Sequence, residues 1–275
     1  MYSLNCKGRL LSWKEPIVMG VLNLTPDSFY SGSRIRSEDE LISQADKMLL
    51  YGASILDLGG LSSRPGSNEI SEDAELERVL PAISLLASRF PSAIISVDSY
   101  RYKVAESALN AGASIINDIG AGEYNLLAEL AADHNAPYVC MHMRGNPGTM
   151  QSLTSYEDII SELLGYFTQR IDKCYRLGIK DIIIDPGFGF AKTIDQNFYL
   201  LKNINLLKIF DLPVMVGLSR KSTIYKTLDI TPEESLNGTT VLHTLALNQG
   251  AQILRVHDVK EAVQAIRLWT SYANA

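Results

Sequence analysis

Polar and charged residues follow several apolar runs of this 275-residue chain, at the point where each run ends. They include carboxylates, amides, hydroxyls, histidines and cations: Asn23, Asp57, Asp98, Asn117, His142, Asp185, Ser219, Lys221, Arg255 and His257. A single Asp or Asn in such a place is most often a turn or cap residue. The joint pattern instead predicts one site, because the carboxyl ends of parallel strands converge on one face of an α/β protein.

The carboxylates and the amide in this set suit recognition of a flat ring. Asp98 and Asp185 can each accept two parallel N–H groups, and Asn117 matches an edge that both donates and accepts. These side chains therefore favour an amino-heterocycle with a cyclic amidine edge. The alternative is a metal cage, which the neighbouring Lys221 and Arg255 and the lack of paired histidines disfavour.

The last two apolar runs end in cations, which indicates an anion site. Residues 219–222 read Ser-Arg-Lys-Ser, and residues 255–258 read Arg-Val-His-Asp. Barrel enzymes often bind phosphate at these positions. Arg255 lies inside an apolar run, where a guanidinium is costly unless it meets an anion or a π face. Arg220 and Lys221 could equally be solvated loop charges.

The elements that must hold these residues alternate between strand and helix. Eight apolar runs predict strands over residues 17–22, 53–58, 93–97, 114–119, 137–141, 181–184, 213–218 and 253–256. A repeated six-residue pattern occurs at 52–57, 112–117 and 250–255: Gly, Ala, Ser or Gln, two apolar residues and a polar residue. A glycine that closes a helix, followed by a buried parallel strand, explains this pattern.

Helix boundaries follow from capping signals. Helix starts are predicted at Ser37 with Glu40, at Thr154 with Glu157, and at Thr231, which Pro232 follows. Helix stops are predicted at Gly52, Gly112, Gly178 and Gly250. Eight strand-then-helix units in about 250 residues predict an α/β fold, a (β/α)8 TIM barrel, with residues 1–275 as one domain. Residues 2–13 predict an N-terminal β-hairpin that closes the bottom face of the barrel.

Composition limits the function classes. The chain is 46% hydrophobic, with a net charge of −6 and a pI near 5.3. An acidic average without a Lys/Arg stripe argues against nucleic acid as a partner. No apolar run approaches the roughly 20 residues that span a bilayer, so no membrane association is expected. Three widely spaced cysteines without a Cys-x-x-Cys pair argue against disulfides and structural zinc, and favour a reduced, cytoplasmic compartment.

Ordered motifs along nearly the whole chain resemble the dihydropteroate synthase family of folate biosynthesis, whose members are pterin-binding TIM barrels. The motif that reads Val-Met-Gly-Val-Leu-Asn-Leu-Thr-Pro-Asp-Ser-Phe at residues 18–29 is similar to the first loop of that family, and residues 57–60 with 63–66 are similar to the second. The remaining motifs lie at residues 96–99, 116–118, 141–147, 185–190, 219–222 and 255–258.

The resemblance implies a transferase that condenses p-aminobenzoate with 6-hydroxymethyl-7,8-dihydropterin diphosphate. The products would be 7,8-dihydropteroate and pyrophosphate, with Mg2+ as the assisting ion. It also implies a homodimer formed through the C-terminal helices, and a target of sulfonamides. Departure of pyrophosphate would precede or accompany attack by the arylamine, which needs no strong base because its lone pair is available at neutral pH.

The resemblance also assigns roles to individual residues. The pterin would be bound by Asp98, Asn117, Asp185, Lys221 and Arg255. The diphosphate would be held by Asn23, Arg255 and His257, with Asn23 also reaching the metal. The p-aminobenzoate pocket would be formed by Phe29, Ser63, Arg64, Pro65, Phe190, Ser219 and Lys221. The catalytic group would comprise Asn23, Asp98, Lys221, Arg255 and His257.

The chain departs from the family pattern at three places. Leu61 stands where the family commonly has glutamate, Ser63 where it has threonine, and Gly148 where it has a basic residue. None of these changes removes a predicted ligand of the pterin. Three alternatives stay open: a barrel like the methyltetrahydrofolate:corrinoid methyltransferases, a non-catalytic pterin-binding paralogue, and a barrel for an unrelated phosphate substrate.

Overall fold

The computed structural model describes residues 1–24, 37–61, 70–120 and 126–275. The chain begins with an antiparallel hairpin formed by β1 (Tyr2–Cys6) and β2 (Arg9–Trp13). Its turn places Lys7 and Gly8 at positive φ, as a tight hairpin turn requires. Side chains of Leu4, Cys6 and Trp13 pack against the first interior residues of the strands that follow. The predicted hairpin at the bottom face is therefore confirmed.

Eight parallel strands form the barrel within the described ranges. They are β3 (Ile17–Asn23), β4 (Ile55–Gly59), β5 (Ile95–Asp98), β6 (Ile115–Asp118), β7 (Tyr138–Met141), β8 (Ile182–Asp185), β9 (Met215–Val216) and β10 (Ile253–Val256). They pair in chain order, with β10 between β3 and β9. A parallel bridge between Ile184 and Val214 joins β8 to the segment that enters β9. This near-closed ring confirms the predicted barrel and its eight strands.

Helices follow the strands and cover the outside of the ring. In the part of the chain that is described they are α1 (Glu38–Leu50), α2 (Glu72–Arg89), α3 (Tyr102–Ala111), α4 (Leu127–Asp133), α5 (Ile159–Arg176), α6 (Ile194–Asn203), α7 (Ser222–Leu228), α8 (Leu236–Asn248) and α9 (Val259–Ala273). None of the described helices is long and apolar enough to cross a membrane.

Two of the three predicted helix starts need correction. Ser37 caps α1 as predicted, since its hydroxyl accepts from the Glu40 amide at 3.2 Å. The start predicted at Thr154 is wrong, because the Asp158 carboxylate caps α5 instead. Thr231 and Glu234 do exchange capping hydrogen bonds, yet they close a turn and α8 begins at Leu236. The four glycines predicted as helix stops all have positive φ: Gly52, Gly112, Gly178 and Gly250.

Two layers of side chains fill the barrel. The lower layer is apolar, packs against the hairpin and consists of Met19, Ile55, Ile94, Ile115, Val139, Ile183, Met215 and Ile253. Side chains on a strand alternate between its two faces, so the residue two positions later also points inward. On five strands that residue is polar, and these residues form the upper layer: Asp57, Ser96, Asn117, Asp185 and Arg255. The interior of the barrel therefore has a polar ring of side chains at its upper level and an apolar layer below it.

Candidate active site

Arg255 on β10 lies at the centre of the upper layer, between two carboxylates. Its Nε donates to Asp57 Oδ2 at 2.7 Å, and its Nη2 donates to Asp98 Oδ2 at 2.6 Å. Asp57 is fully buried, whereas the side chains of Arg255 and Asp98 keep about a fifth of their surface exposed. The costly arginine of the last apolar run therefore meets two anions. Its remaining N–H groups and its planar face are left for a ligand.

Asp57 also orients Asn117 on β6, which is predicted to bind the pterin. The Asn117 amide nitrogen donates to the same oxygen, Asp57 Oδ2, at 3.1 Å. Because its nitrogen is engaged, Asn117 is free to present its carbonyl oxygen to a ligand N–H. The sequence places Asp57 among the polar strand ends, but the family resemblance assigns it no role in binding a substrate. Its place in the repeated Gly-to-polar pattern, shared with Asn117 and Arg255, was the sequence signal for its role.

We expect Asp57→Asn to weaken pterin binding about 10- to 100-fold, which corresponds to loss of one charge-assisted hydrogen bond. The amide oxygen could accept from the same two donors, but it carries no charge, so the ion pair with Arg255 is lost. The amide nitrogen would take the place of the buried Asp57 Oδ1, for which the described residues offer no hydrogen-bonding partner. Calorimetric titration with a pterin would measure the loss. Asp46→Asn, on the exposed face of α1, is the matched control. Equal affinity in both variants would show that Asp57 does not position the ligand-binding residues.

Asp185 at the end of β8 stands beside the Lys221 ammonium. Asp185 Oδ1 accepts from the Gly187 amide at 2.8 Å, and the carboxyl is buried. Lys221 donates to the Phe188 carbonyl, and its Nζ lies 4.6 Å from the centre of the Phe190 ring. Lys221 is thus an ordered cation of the site, so the alternative of a solvated loop charge does not hold for it.

An apolar wall adjoins this polar ring. It is formed by Ile119, Met141, Met143, Met150, Phe190 and Ala191, which pack together as a separate small cluster. Polar groups at one edge and thioether and aromatic side chains alongside suit a flat, amphipathic heterocycle. Phe190 belongs to the wall and also contacts Lys221, which places it between the two sides of the site.

Arg220 points away from the site. Its guanidinium forms a two-point ion pair with Asp258, with nitrogen–oxygen distances of 2.8 and 2.9 Å, and it also donates to the Pro232 and Glu233 carbonyls. Only 5% of Arg220 is exposed, so it is neither a solvated charge nor an anion ligand. The residue has φ of 53°, which turns the chain so that Ser219 and Lys221 face the barrel mouth.

Ser219 and His257 join the last two strand ends. The His257 backbone amide donates to the Ser219 hydroxyl at 3.2 Å. Burial lowers the pKa of the His257 imidazole to about 4, and the nearby Arg255 charge adds to that shift. At neutral pH His257 therefore offers an uncharged N–H donor, and Arg255 and Lys221 supply the positive charge.

Burial also shifts the other ionisable groups of the site. Burial raises the pKa of Asp98 to about 7, although Arg255 opposes the shift, and burial raises the pKa of Asp185, which Lys221 opposes. Burial lowers the pKa of Lys221 to about 8, and the Asp185 charge limits that shift. Such shifts are common where charged groups are assembled for binding or catalysis.

Asn23 ends β3 and lies opposite Gly59, which in turn lies opposite Asp98 on the next strand. This register places Asn23 at the level of Asp98 on the barrel mouth. Four of the seven predicted aminobenzoate residues lie outside the described residues: Phe29, Ser63, Arg64 and Pro65. Of the other departures from the family pattern, Leu61 is partly exposed and the Gly148 amide donates to Asn146 Oδ1 in a turn.

The fold is a (β/α)8 barrel whose mouth brings an amide, carboxylates and an arginine together, an arrangement that suits a flat heterocycle. The chain belongs to the pterin binding enzyme family, whose model matches residues 19–257. Within that family it is similar to the dihydropteroate synthases. The Escherichia coli K12 enzyme of that name is 42% identical over 95% of this chain and 93% of its own length.

Solved structures agree with the sequence relatives. The Yersinia pestis dihydropteroate synthase in complex with a sulfonamide drug has a TM-score of 0.94 and 39% identity, over 99% of both chains. The Xanthomonas albilineans dihydropteroate synthase with 4-aminobenzoic acid has a TM-score of 0.90 and 35% identity, over 99% of this chain and 98% of that one. The similarity therefore extends over the entire barrel.

Proposed function

We infer that this chain is a transferase that condenses p-aminobenzoate with 6-hydroxymethyl-7,8-dihydropterin diphosphate, forming 7,8-dihydropteroate and pyrophosphate. The observation that carries this inference is the upper layer of the barrel, where Asp57, Asn117, Asp185 and Arg255 converge with Asp98. Identity of about 40% with dihydropteroate synthases over nearly the full chain supports the same reaction.

The site residues act by binding and by stabilising charge. Asp185 and Asn117 accept N–H groups at the pterin edge, so that the reacting methylene projects toward Phe190 and the aminobenzoate side. Arg255 donates to the diphosphate and offers its face to the ring, and His257 adds a neutral N–H. These donors favour the negative charge that develops on the leaving oxygen. The Asp98 carboxylate favours positive charge that develops on the electron-rich pterin as the carbon–oxygen bond breaks.

We propose that Mg2+ assists, held by Asn23 and by the diphosphate. Among the described residues no group of three His, Cys, Asp or Glu side chains could hold a metal. A Mg2+ ion usually takes one or two protein oxygens and completes its shell with substrate phosphates and water, so the amide oxygen of Asn23 fits this role. When bound, the ion would neutralise charge on the departing pyrophosphate.

The test is a coupled assay for pyrophosphate release from the dihydropterin diphosphate. We expect release that depends on p-aminobenzoate and on Mg2+, with 7,8-dihydropteroate as the second product. Tight pterin binding without pyrophosphate release would indicate the non-catalytic paralogue. Methyl transfer from methyltetrahydrofolate to a corrinoid would indicate the methyltransferase alternative, for which the diphosphate site has no purpose.

Binding of the pterin should depend on pH in a bell-shaped manner. Asp98, with a pKa of about 7, must be ionised to accept N–H groups, so affinity should fall as the pH drops below that value. Lys221, with a pKa of about 8, must be protonated to act as a donor, so affinity should also fall above that value. Calorimetry from pH 5.5 to 9.5 would check this. A flat affinity across the range would contradict these protonation states.

We propose a homodimer in the cytoplasm. Val241 and Leu245 on α8, and Leu268 on α9, are exposed apolar side chains on neighbouring C-terminal helices, which is suitable for a self-complementary interface. Sedimentation of the protein should give twice the monomer mass. Its three cysteines are buried and unpaired, which is compatible with a reducing compartment.

A further inference from the structure

A buried lysine next to the site has no part in the function described so far. Lys192 lies near the end of the loop from β8 to α6 and is only 4% exposed. Its Nζ lies 3.0 Å from the Gly187 carbonyl, 3.1 Å from the Phe190 carbonyl and 3.0 Å from His142 Nδ1. Three acceptors at hydrogen-bonding distance match the three N–H groups of an ammonium ion.

Two of these acceptors belong to the loop that carries pterin and aminobenzoate residues. Gly187 donates its amide to Asp185 Oδ1 and accepts from Lys192 at its carbonyl, so it connects the carboxylate to the ammonium. Gly187 has φ of +70°, and a Cβ there would lie 2.0 Å from the His142 carbonyl oxygen. The loop therefore packs directly against the backbone of His142 at this place. The other acceptor is the backbone carbonyl of Phe190, whose aromatic ring contacts Lys221.

The third acceptor connects Lys192 to β7. When Lys192 is an ammonium ion it can only donate, so Nδ1 of His142 then accepts and the imidazole proton lies on Nε2, which is 3.7 Å from Glu162 on α5. Burial keeps His142 neutral by lowering its pKa to about 2, and Lys192 adds to that shift. The charged groups around Lys192 are thus Asp185 at the end of β8, Lys221 before α7, Glu162, and Arg144 after β7.

Nearby negative charge stabilises the ammonium form of Lys192 despite its burial. Burial lowers the pKa of Lys192 to about 7, and Asp185 is the first of the groups that oppose this shift. The interaction is mutual, since Lys192 is one of the groups that counter the raised pKa of Asp185. Lys192 therefore favours the ionised Asp185 that accepts the pterin N–H groups.

We propose that Lys192 is a positioning residue for pterin recognition: it anchors the β8–α6 loop from beneath and holds Asp185 in place and ionised. The proposal rests on the proposed function, because it assumes that Asp185 binds the pterin. Lys192 itself is buried behind the loop and acts on the ligand through Asp185 and Phe190.

The test substitutes Lys192 with methionine, which preserves most of the volume and removes the three donors and the charge. We expect KM for the dihydropterin diphosphate to rise about tenfold or more while kcat changes less than about threefold, as for lost ground-state binding. On the acid side of the pH profile, where ionisation of Asp98 already limits binding, Asp185 should add a second loss of affinity at higher pH than in the wild type, because Asp185 loses a cation that favours its charge. Lys180→Met is the matched control, because Lys180 is exposed and lies just before β8, at the end of the strand away from this loop.

The Lys192→Gln variant separates the two effects of Lys192, which are anchoring of the loop and the positive charge near Asp185. The glutamine amide can donate to the Gly187 and Phe190 carbonyls, so we expect thermal stability close to that of the wild type with the added loss of affinity on the acid side still present. Affinity within threefold of wild type and an unchanged acid side of the pH profile, in folded protein, would overturn the proposal. Failure of both variants to fold would also overturn it, by assigning Lys192 to stability alone. An inactive wild-type protein in the same assays would instead refute the proposed function.

Discussion

Arg255→Lys should lower kcat/KM by about 100-fold or more, even though the positive charge is retained. Arg255 joins two carboxylates through separate nitrogens, Nε to Asp57 and Nη2 to Asp98. A lysine carries one nitrogen on a flexible stem and cannot reach both oxygens while it also contacts the diphosphate. It also lacks the planar face that can stack on a pterin ring.

The same substitution should destabilise the protein. Asp57 is fully buried, and removing the partner of a buried charge costs about 3–5 kcal/mol. Lysine restores part of that attraction, so we expect a loss of about 1–3 kcal/mol in the free energy of unfolding. Steady-state kinetics and urea unfolding would measure the two effects. Arg267→Lys, on the exposed face of α9, is the control. A loss of less than threefold in kcat/KM would show that Arg255 acts as a countercharge only.

Asp185→Asn should reduce pterin affinity by about 2–4 kcal/mol, or about 30- to 1,000-fold. The asparagine oxygen can still accept from the Gly187 amide, which keeps the loop in place. The amide nitrogen then takes the position of the second carboxylate oxygen and turns an N–H toward the N–H groups of the pterin. Binding is therefore lost through mismatched donors, with little change in the fold.

Calorimetry and thermal melting of this variant would separate the two effects. Burial raises the pKa of Asp185, which means that the folded protein disfavours the charge, so a neutral amide should not lower the melting temperature. Asp195→Asn on the exposed face of α6 is the matched control. Near wild-type pterin affinity in Asp185→Asn would remove Asp185 from the pterin site.

The strand pattern made most of the fold predictable. Glycines with positive φ close helices immediately before strands, and the alternation of side chains sends every second residue into the barrel. Ile55 followed by Asp57, and Ile253 followed by Arg255, therefore place a polar residue above an apolar one. Local geometry dictates this arrangement, so the barrel and its hairpin are predictable from the sequence.

Cap positions and side-chain directions in loops were less predictable. Thr154 with Glu157 has the spacing of a capping box, yet Asp158 caps α5, since several nearby polar residues can serve as an N-cap. Ser219, Arg220 and Lys221 are consecutive in one loop. Arg220 has a positive φ and its side chain pairs with Asp258, whereas the next residue, Lys221, contacts Phe188 and Phe190 at the site.

The sequence by itself determined the barrel, the family, and the strand ends at which Asp98, Asn117, Asp185 and Arg255 lie. These follow from periodicity and motif, which are properties of neighbouring residues. Only the tertiary structure decided that Asp57 holds Arg255 across 198 positions of chain, and that Lys192 lies beneath Asp185 against His142. The physical reason is that a buried charge needs a partner, and closure of the barrel determines which residues come close enough to pair. Separation along the sequence does not predict those pairs.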